Sequence, residues 1–379
     1  MKKIVISFVL LLVAIWLPSC KTSPMQEENN SIEPVAFIDQ YMFRVNPEHT
    51  GIIQSFGPRK KPNLHWKFQT QDGVESSPAL ANSILYIGSY DGYIYAIHID
   101  DGALIWKTKI GEDGIYSSPA VVDGIVYIGS QDQHLYALDA EKGSVIWKAK
   151  TDGSINASPT VFQETVYIGS ADHYLYAFDA RSGELRWRFK TEEVVHSAVA
   201  VKDGLVYFGS GDKLLYALEA DTGIERWRYQ AQGKVSSSPA VAHGIVFVGS
   251  DDGYLYAVNA YTGYREWKIS TSDWIYSSPA VDETLVYVGG FDGYLYAYDV
   301  LTGIEVWKYS IGAWIISSPV IADKVLYIGS SDGQFYALDA KRGRLLWKYE
   351  AEDLIASSPA VFNGVVYFGC ADGYVYALK

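Results

Sequence analysis

Eight tryptophans, Trp66, Trp106, Trp147, Trp187, Trp227, Trp267, Trp307 and Trp347, recur at intervals of 40 residues with one interval of 41. A fixed period of that length marks a propeller or a solenoid, in which each unit buries its apolar face only by stacking on the next. One unit runs Ile115-Tyr116-Ser117-Ser118-Pro119-Ala120-Val121, then Gly124 to Ser130, then Leu135 to Asp139, then Val145-Ile146-Trp147-Lys148. Its four β-branched or aromatic runs are parted by turn residues such as Asp123-Gly124 and Lys142-Gly143, which predicts four strands per repeat. Aromatic residues at 15%, with 34 Gly, 30 Tyr and only 3 Met, support an all-β chain. The seven prolines after Trp66 share one repeat position, Pro78, Pro119, Pro159, Pro239, Pro279, Pro319 and Pro359. Proline cannot donate to a ladder, so its strand is the innermost, with a free edge on a central channel.

Strand counting shows how such a ring closes. Three strand types occur eight times between residues 74 and 378, but the last copy ends at Ala377-Leu378-Lys379 without its tryptophan strand. Trp66-Lys67-Phe68 supplies it. The expected fold is all-β: an eight-bladed β-propeller of four-stranded antiparallel blades over residues 61–379, closed by the N-terminal strand and monomeric, since closure leaves no open sheet edge.

Ahead of the ring, Lys2 and Lys3 precede an apolar run from Ile4 to Leu17 and then Ser19-Cys20. Fourteen apolar residues are short for a membrane span and fit a secretion signal over residues 1–19. The small residue before Cys20 resembles the bacterial lipobox, which implies acylation of that thiol and a protein anchored to the membrane rather than spanning it. Removing Lys2 and Lys3 leaves 29 basic against 44 acidic residues, a charge of −15 that argues against a nucleic-acid partner. Residues 20–60 hold scattered prolines together with Phe37, Tyr41, Met42, Phe43, Ile52, Ile53 and Phe56, so a tether near Cys20 is expected to lead into a part that docks on the ring or on a partner. Cys370, the other cysteine, stands where most copies have Ser and is read as a small strand-end residue.

The eight copies form an internal comparison. A residue found in every copy meets a need of every blade, which makes the turn aspartates Asp91, Asp132, Asp172, Asp212, Asp252, Asp292, Asp332 and Asp372 structural. Breaks in symmetry fall in the loops entering the inner strands. One site reads Gly73, Gly114, Ser154, Val194, Lys234, Trp274, Trp314 and Leu354; two residues on, the series is Glu75, Tyr116, Asn156, His196, Ser236, Tyr276, Ile316 and Ala356. Trp274, Tyr276, Trp314 and Ile316, joined by Phe291, form a candidate binding patch unless the rings turn inward and plug the channel. Tyr116 and His196 are further candidates. His196 has no second His or Cys at ligand spacing, so no metal site is expected and packing or channel lining is favoured.

The spacing Ala, Gly six residues on, Trp four further, as in Ala137-Gly143-Trp147 and Ala297-Gly303-Trp307, occurs seven times intact, with the eighth split between Ala377 and Trp66. It resembles the tryptophan-docking motif of the quinoprotein-like propellers over residues 66–379. The resemblance implies that each Trp stacks between its own Ala and the next Gly peptide, and burying such a ring is worth several kcal/mol. With a lipid anchor, the chain is similar to the BamB-type lipoproteins. That likeness implies a non-catalytic outer-membrane scaffold, without a cofactor, that binds envelope proteins of the β-barrel assembly machinery. Two alternatives stand beside it: a propeller that binds or senses a quinone or sugar, and a quinone-dependent dehydrogenase. Members with dehydrogenase activity carry adjacent cysteines and acidic metal ligands in the funnel, and neither is found here.

Overall fold

The computed structural model describes residues 42–111 and 113–379, so Cys20 and the expected secretion signal lie outside the described residues. Each blade is a four-stranded antiparallel sheet ordered from the channel outward, as in Ala79–Ala81, Ile84–Gly88, Tyr93–His98 and Leu104–Lys109 of blade one. Blade eight takes its outer strand from the other end of the ring. Leu64–Gln69 pairs antiparallel with Tyr374–Leu378, placing Trp66 opposite Ala377 as Trp106 lies opposite Ala96. Among the described residues no helix is long and apolar enough to cross a membrane.

A bulge beside each tryptophan aims it. In blade one Ala96 pairs with Trp106 but Ile97 pairs with Leu104, and the residue skipped, Ile105, is left exposed while Trp106 is buried. The ring of Trp106 lies against Gly143 of the next blade, whose φ of 70° and missing Cβ are both required there. Its Nε1 donates to Ala140 O at 2.9 Å, and Tyr86 Oη, from the second strand of the same blade, donates to that oxygen at 3.1 Å. Both lone pairs of one carbonyl are thus used to clamp two blades together. Trp147 with Tyr127, Trp187 with Tyr167 and Trp227 with Tyr207 repeat the clamp on Ala180, Ala220 and Ala260.

Nearer the axis a second seam repeats eight times. The glycine ending each second strand faces an Ile or Val of the next blade's entry loop: Gly88 faces Ile115, Gly249 faces Ile275, and Gly369 faces Val74 across the closure. A Cβ on any of these glycines would collide with that side chain.

The N-terminal segment does more than bring Trp66 into place. Residues 42–58 thread the channel and then follow its wall, where the free edges of the inner strands donate to them: Val201 N to Pro47 O, Val241 N to Glu48 O, Val281 N to Thr50 O and Ile321 N to Gly51 O. Ile52–Ile53 adds a short parallel strand to blade seven. Pro58 O then accepts both Trp347 Nε1 at 2.7 Å and Tyr327 Oη at 3.2 Å, so a residue ahead of the repeats provides the carbonyl of the eighth clamp.

Two polar side chains travel into the core with this segment. Arg44, 3% exposed, donates to Pro319 O at 2.5 Å and Pro279 O at 2.6 Å, using carbonyls of the proline-bearing strands as its acceptors. Burial pulls its guanidinium down to about 9, which still leaves it charged at neutral pH. His49, 1% exposed, shares a hydrogen bond of 3.1 Å with Thr160 Oγ1, and blade three is the copy with Thr where its neighbours have Ala. Desolvation, and then the charge of Arg44, lower the imidazole to about 3.

A base with a lowered folded-state pKa stays neutral in the native protein while the unfolded chain takes up a proton near pH 6.5. Its contribution to stability is complete above that pH and is lost as the pH falls toward 3, at up to about 1.4 kcal/mol per pH unit. The unfolding free energy of the native chain is therefore expected to fall by about 2 kcal/mol more than that of His49→Gln between pH 7 and pH 5 in parallel urea titrations. Equal losses in the two proteins would show that His49 titrates normally.

Candidate functional site at the mouth of the ring

Loops entering the inner strands alternate their side chains about the buried Ile or Val of the inner seam. In blade six Ile275 is fully buried, so Trp274 and Tyr276 on either side of it face outward, at 48% and 39% exposure. Backbone contacts pin the loop: Phe291 N, in the neighbouring hairpin turn, donates to Trp274 O at 2.9 Å, and Ser331 N to Trp314 O at 3.0 Å in blade seven. Phe291 is the hinge of the cluster. Its ring is 5.3 Å from Tyr276, 6.0 Å from Trp274 and stacked 5.5 Å from Trp314 across the blade boundary. Trp314 is 57% exposed and walls a crevice of about 360 Å³ with Gly293, Gly312 and Ser331. The two indoles stand on the rim, and the ring that enters the channel is Phe43, edge-on to His49 at 6.0 Å.

Above Phe43 lies a cup of about 180 Å³. Its upper wall is the variable series from Glu75 to Ala356, which brings Tyr116, His196, Tyr276 and Ile316 around one cavity. The lower wall is a ring of serines in which each backbone N–H donates to the hydroxyl of the next blade: Ser77 to Ser118, Ser118 to Ser158, Ser238 to Ser278, Ser278 to Ser318, Ser318 to Ser358, and Ser358 back to Ser77. Blade four interrupts it with Ala198, whose own N–H still reaches Ser238. The interruption and His196 fall on the same blade. Desolvation and the nearby Lys234 lower the basicity of His196.

The cup has a polar side and an aromatic side. Tyr116 packs on Tyr90 at 4.4 Å, with the Tyr90 hydroxyl raised well above its usual range by burial and by Glu75. Asn156 Oδ1 accepts from Gln131 Nε2 at 3.4 Å. Burial raises the Asp251 carboxyl, whose Oδ1 has no hydrogen-bond partner among the described residues. Tyr276 and Ile316 line the cup from blades six and seven, and Trp274, Phe291 and Trp314 stand beside it on the rim. Phe43 and the serine ring are the lining residues that sequence reasoning missed. The serines are common to nearly all copies and so carry no asymmetry, while Phe43 belongs to no repeat.

The turn aspartates do one job throughout. Asp91 Oδ1 caps Tyr93 N and its Oδ2 accepts Tyr95 Oη at 2.6 Å, and the pair recurs through Asp372 with Tyr376. Among the described residues no three His, Cys, Asp or Glu side chains cluster as a metal would need. Cys370 is buried, and its Sγ donates to Asp353 O at 3.3 Å, the role that Ser89 Oγ fills toward Asp72 O in blade one. Burial pushes that thiol up to about 12.

Two measurements follow from this geometry. Replacing Trp274 and Trp314 together with Ala is expected to shift the melting temperature by no more than about 2 °C, as for exposed sites, whereas a drop of 10 °C would show that the indoles support the core. Cys370 is expected to resist a thiol reagent at pH 8 and to react only when the chain unfolds; reaction at a free-thiol rate in native buffer would contradict its burial.

The profile of the outer membrane protein assembly factor BamB family matches residues 50–173, 91–198, 171–273 and 268–379. No curated protein matches the chain. Among solved structures, BamB from Moraxella catarrhalis superposes with a TM-score of 0.72 at 20% identity, covering 84% of this chain and 97% of that one. The computationally designed protein Ika8 gives 0.75 at 20% identity over 84% and 99%. The quinohemoprotein alcohol dehydrogenase ADHIIG from Pseudomonas putida HK5 gives 0.80 at 18% identity over 90% and 80%. At these identities the superpositions establish the shared propeller, while the profile, matching essentially the whole ring, places the chain in the outer membrane protein assembly factor BamB family.

Proposed function

We propose that this chain is a non-catalytic scaffold of the outer membrane, held there by acyl chains on Cys20, that binds a protein of the β-barrel assembly machinery through Trp274, Tyr276, Phe291, Trp314 and Ile316. The carrying observation is that three exposed aromatic rings, Trp274, Tyr276 and Trp314, pack around Phe291, and that the two indoles stand where the other blades place Gly, Ser, Val, Lys or Leu. Blades without these rings close equally well, so the fold does not require them, and a rigid exposed aromatic cluster is the usual anchor of a protein interface. Membership of the BamB family supports the choice of partner. The crevice beside Trp314 gives a partner side chain a place to insert.

A second reading draws on the cup beside the patch, whose mixed polar and aromatic lining suits a small ring-shaped ligand such as a sugar or quinone, with Tyr116 and His196 in its wall.

A photo-crosslinking residue placed at Trp314 in cells separates the two. The scaffold reading predicts a crosslink to an assembly-machinery protein that is absent when the residue stands at Ile146 on the far rim. It also predicts that Trp274→Ala with Trp314→Ala lowers recovery of that protein at least tenfold at unchanged expression. Full recovery by the double variant would remove the patch from the interface.

A further inference from the structure

We infer that the end of the ring opposite the mouth rests on a lipid bilayer, through the turns that join the third and outer strands of blades four, five and six. The inference builds on the lipid-anchored reading above. Ile224, Tyr261, Tyr264, Leu301 and Ile304 occupy these turns at 59%, 60%, 78%, 72% and 66% exposure, the highest of any large hydrophobic side chains among the described residues. The internal comparison shows that the fold does not ask for them. The first turn position is Asp100, Glu141, Arg181, Asp221 or Lys341 elsewhere, and the fourth is Ala103, Ser144, Glu184 or Arg344. Only blades five and six carry large apolar or aromatic residues at both positions, and only blade four joins them with one at the fourth.

The tips cannot fold away. Gly263 and Gly303 lie on the rings of Trp227 and Trp267, so the blade clamps hold these turns directly. Asn259 Oδ1 accepts from Tyr261 N and Thr262 N, and Asp299 Oδ1 from Leu301 N and Thr302 N, which fixes the backbone of each tip. The side chains therefore project from separate turns, and the cup and the crevice both lie at the other end of the ring. Separated apolar tips that include tyrosine suit a fluid interface, in which each chain reaches the acyl boundary and a phenol stays among the headgroups. The turns and the residues flanking them carry Arg226 and Arg265 against Glu219, Asp221, Glu225, Glu266, Asp299 and Glu305, an acidic balance that disfavours anionic lipid and leaves zwitterionic lipid as the surface these tips can meet.

The N-terminal segment also touches this end. Tyr261 Oη donates to Asp203 Oδ2 at 2.9 Å, and Lys202 beside it pairs with Glu48 at 3.1 Å. Met42, six residues before Glu48, follows Cys20 by 22 residues, a span of at most about 80 Å when fully extended. Acyl chains on Cys20 thus keep the patch within reach of the bilayer. Docking there would turn Trp274 and Trp314 away from the lipid and toward soluble partners.

The test uses the acylated chain in phosphatidylcholine vesicles, with one nitroxide at a time on Tyr264→Cys, Ile304→Cys or, on the opposite side of the ring, Glu141→Cys. The buried Cys370 stays unlabelled. At 264 and 304 the label is expected to collide with oxygen several-fold more often than with a water-soluble nickel chelate, with the order reversed at 141. Flotation with the vesicles but nickel access at all three sites would overturn the inference and leave the anchor standing. Failure to float would remove the anchor and the inference together. Spin–spin broadening at 264 and 304 that disappears on dilution with unlabelled chain would assign the patch to a second copy and overturn lipid docking.

Discussion

Each blade is tied to the next by an indole lying on a glycine turn and by one carbonyl that accepts from that indole and from a tyrosine hydroxyl. The rest of the molecule depends on this clamp, because a blade touches only its two neighbours and has little core of its own. It requires a small residue at the turn, an indole freed by a bulge to face inward, and a carbonyl whose two lone pairs are otherwise unused. Blades five and six depart from it in instructive ways. Phe247 has no hydroxyl to donate, and Tyr287 gives its hydroxyl to Asp282, leaving Trp267 and Trp307 to hold Val300 O and Ala340 O alone. Of the apolar turns proposed to meet lipid, that of Leu301 and Ile304 rides on the Trp267 clamp.

Closing the ring needs the clamp once more, and there Pro58 stands in for the missing carbonyl. The segment ending at Pro58 has already lined the channel along several blades and set Phe43 under the cup. Ring closure and the channel floor are therefore the work of one stretch of chain. It also carries the least comfortable groups in the core, a charged Arg44 held by prolyl carbonyls and a neutral His49, and so ties closure to pH.

The repeat architecture was legible because its requirements recur eight times. Trp, Gly and Pro each announce a constraint, an indole seam, a turn of positive φ or a channel edge, that no other residue meets as well. The aromatic cluster could be named because Trp274 and Trp314 break that regularity at adjacent sites, and internal comparison detects breaks. The course of residues 42–58 was not legible in the same way. Arg44 and His49 look like solvent-facing residues of a tether until the prolyl carbonyls and Thr160 that receive them are known, and a segment present once has no second copy against which to read it. The apolar turns of blades four to six were open to the same comparison, but single exposed residues such as Tyr264 and Leu301 are ordinary on a protein surface. They gain meaning when the fold places them together on adjacent blades at the end of the ring opposite the mouth.

Unfolding of Trp227→Ala tests the clamp most directly. Trp227 is 9% exposed, lies against Gly263 and bonds to Ala260 O. The account predicts a loss of about 3 to 5 kcal/mol in one cooperative denaturant transition that lowers the stability of the whole ring. A loss below about 1 kcal/mol would contradict it, as would a separate early transition confined to blades four and five.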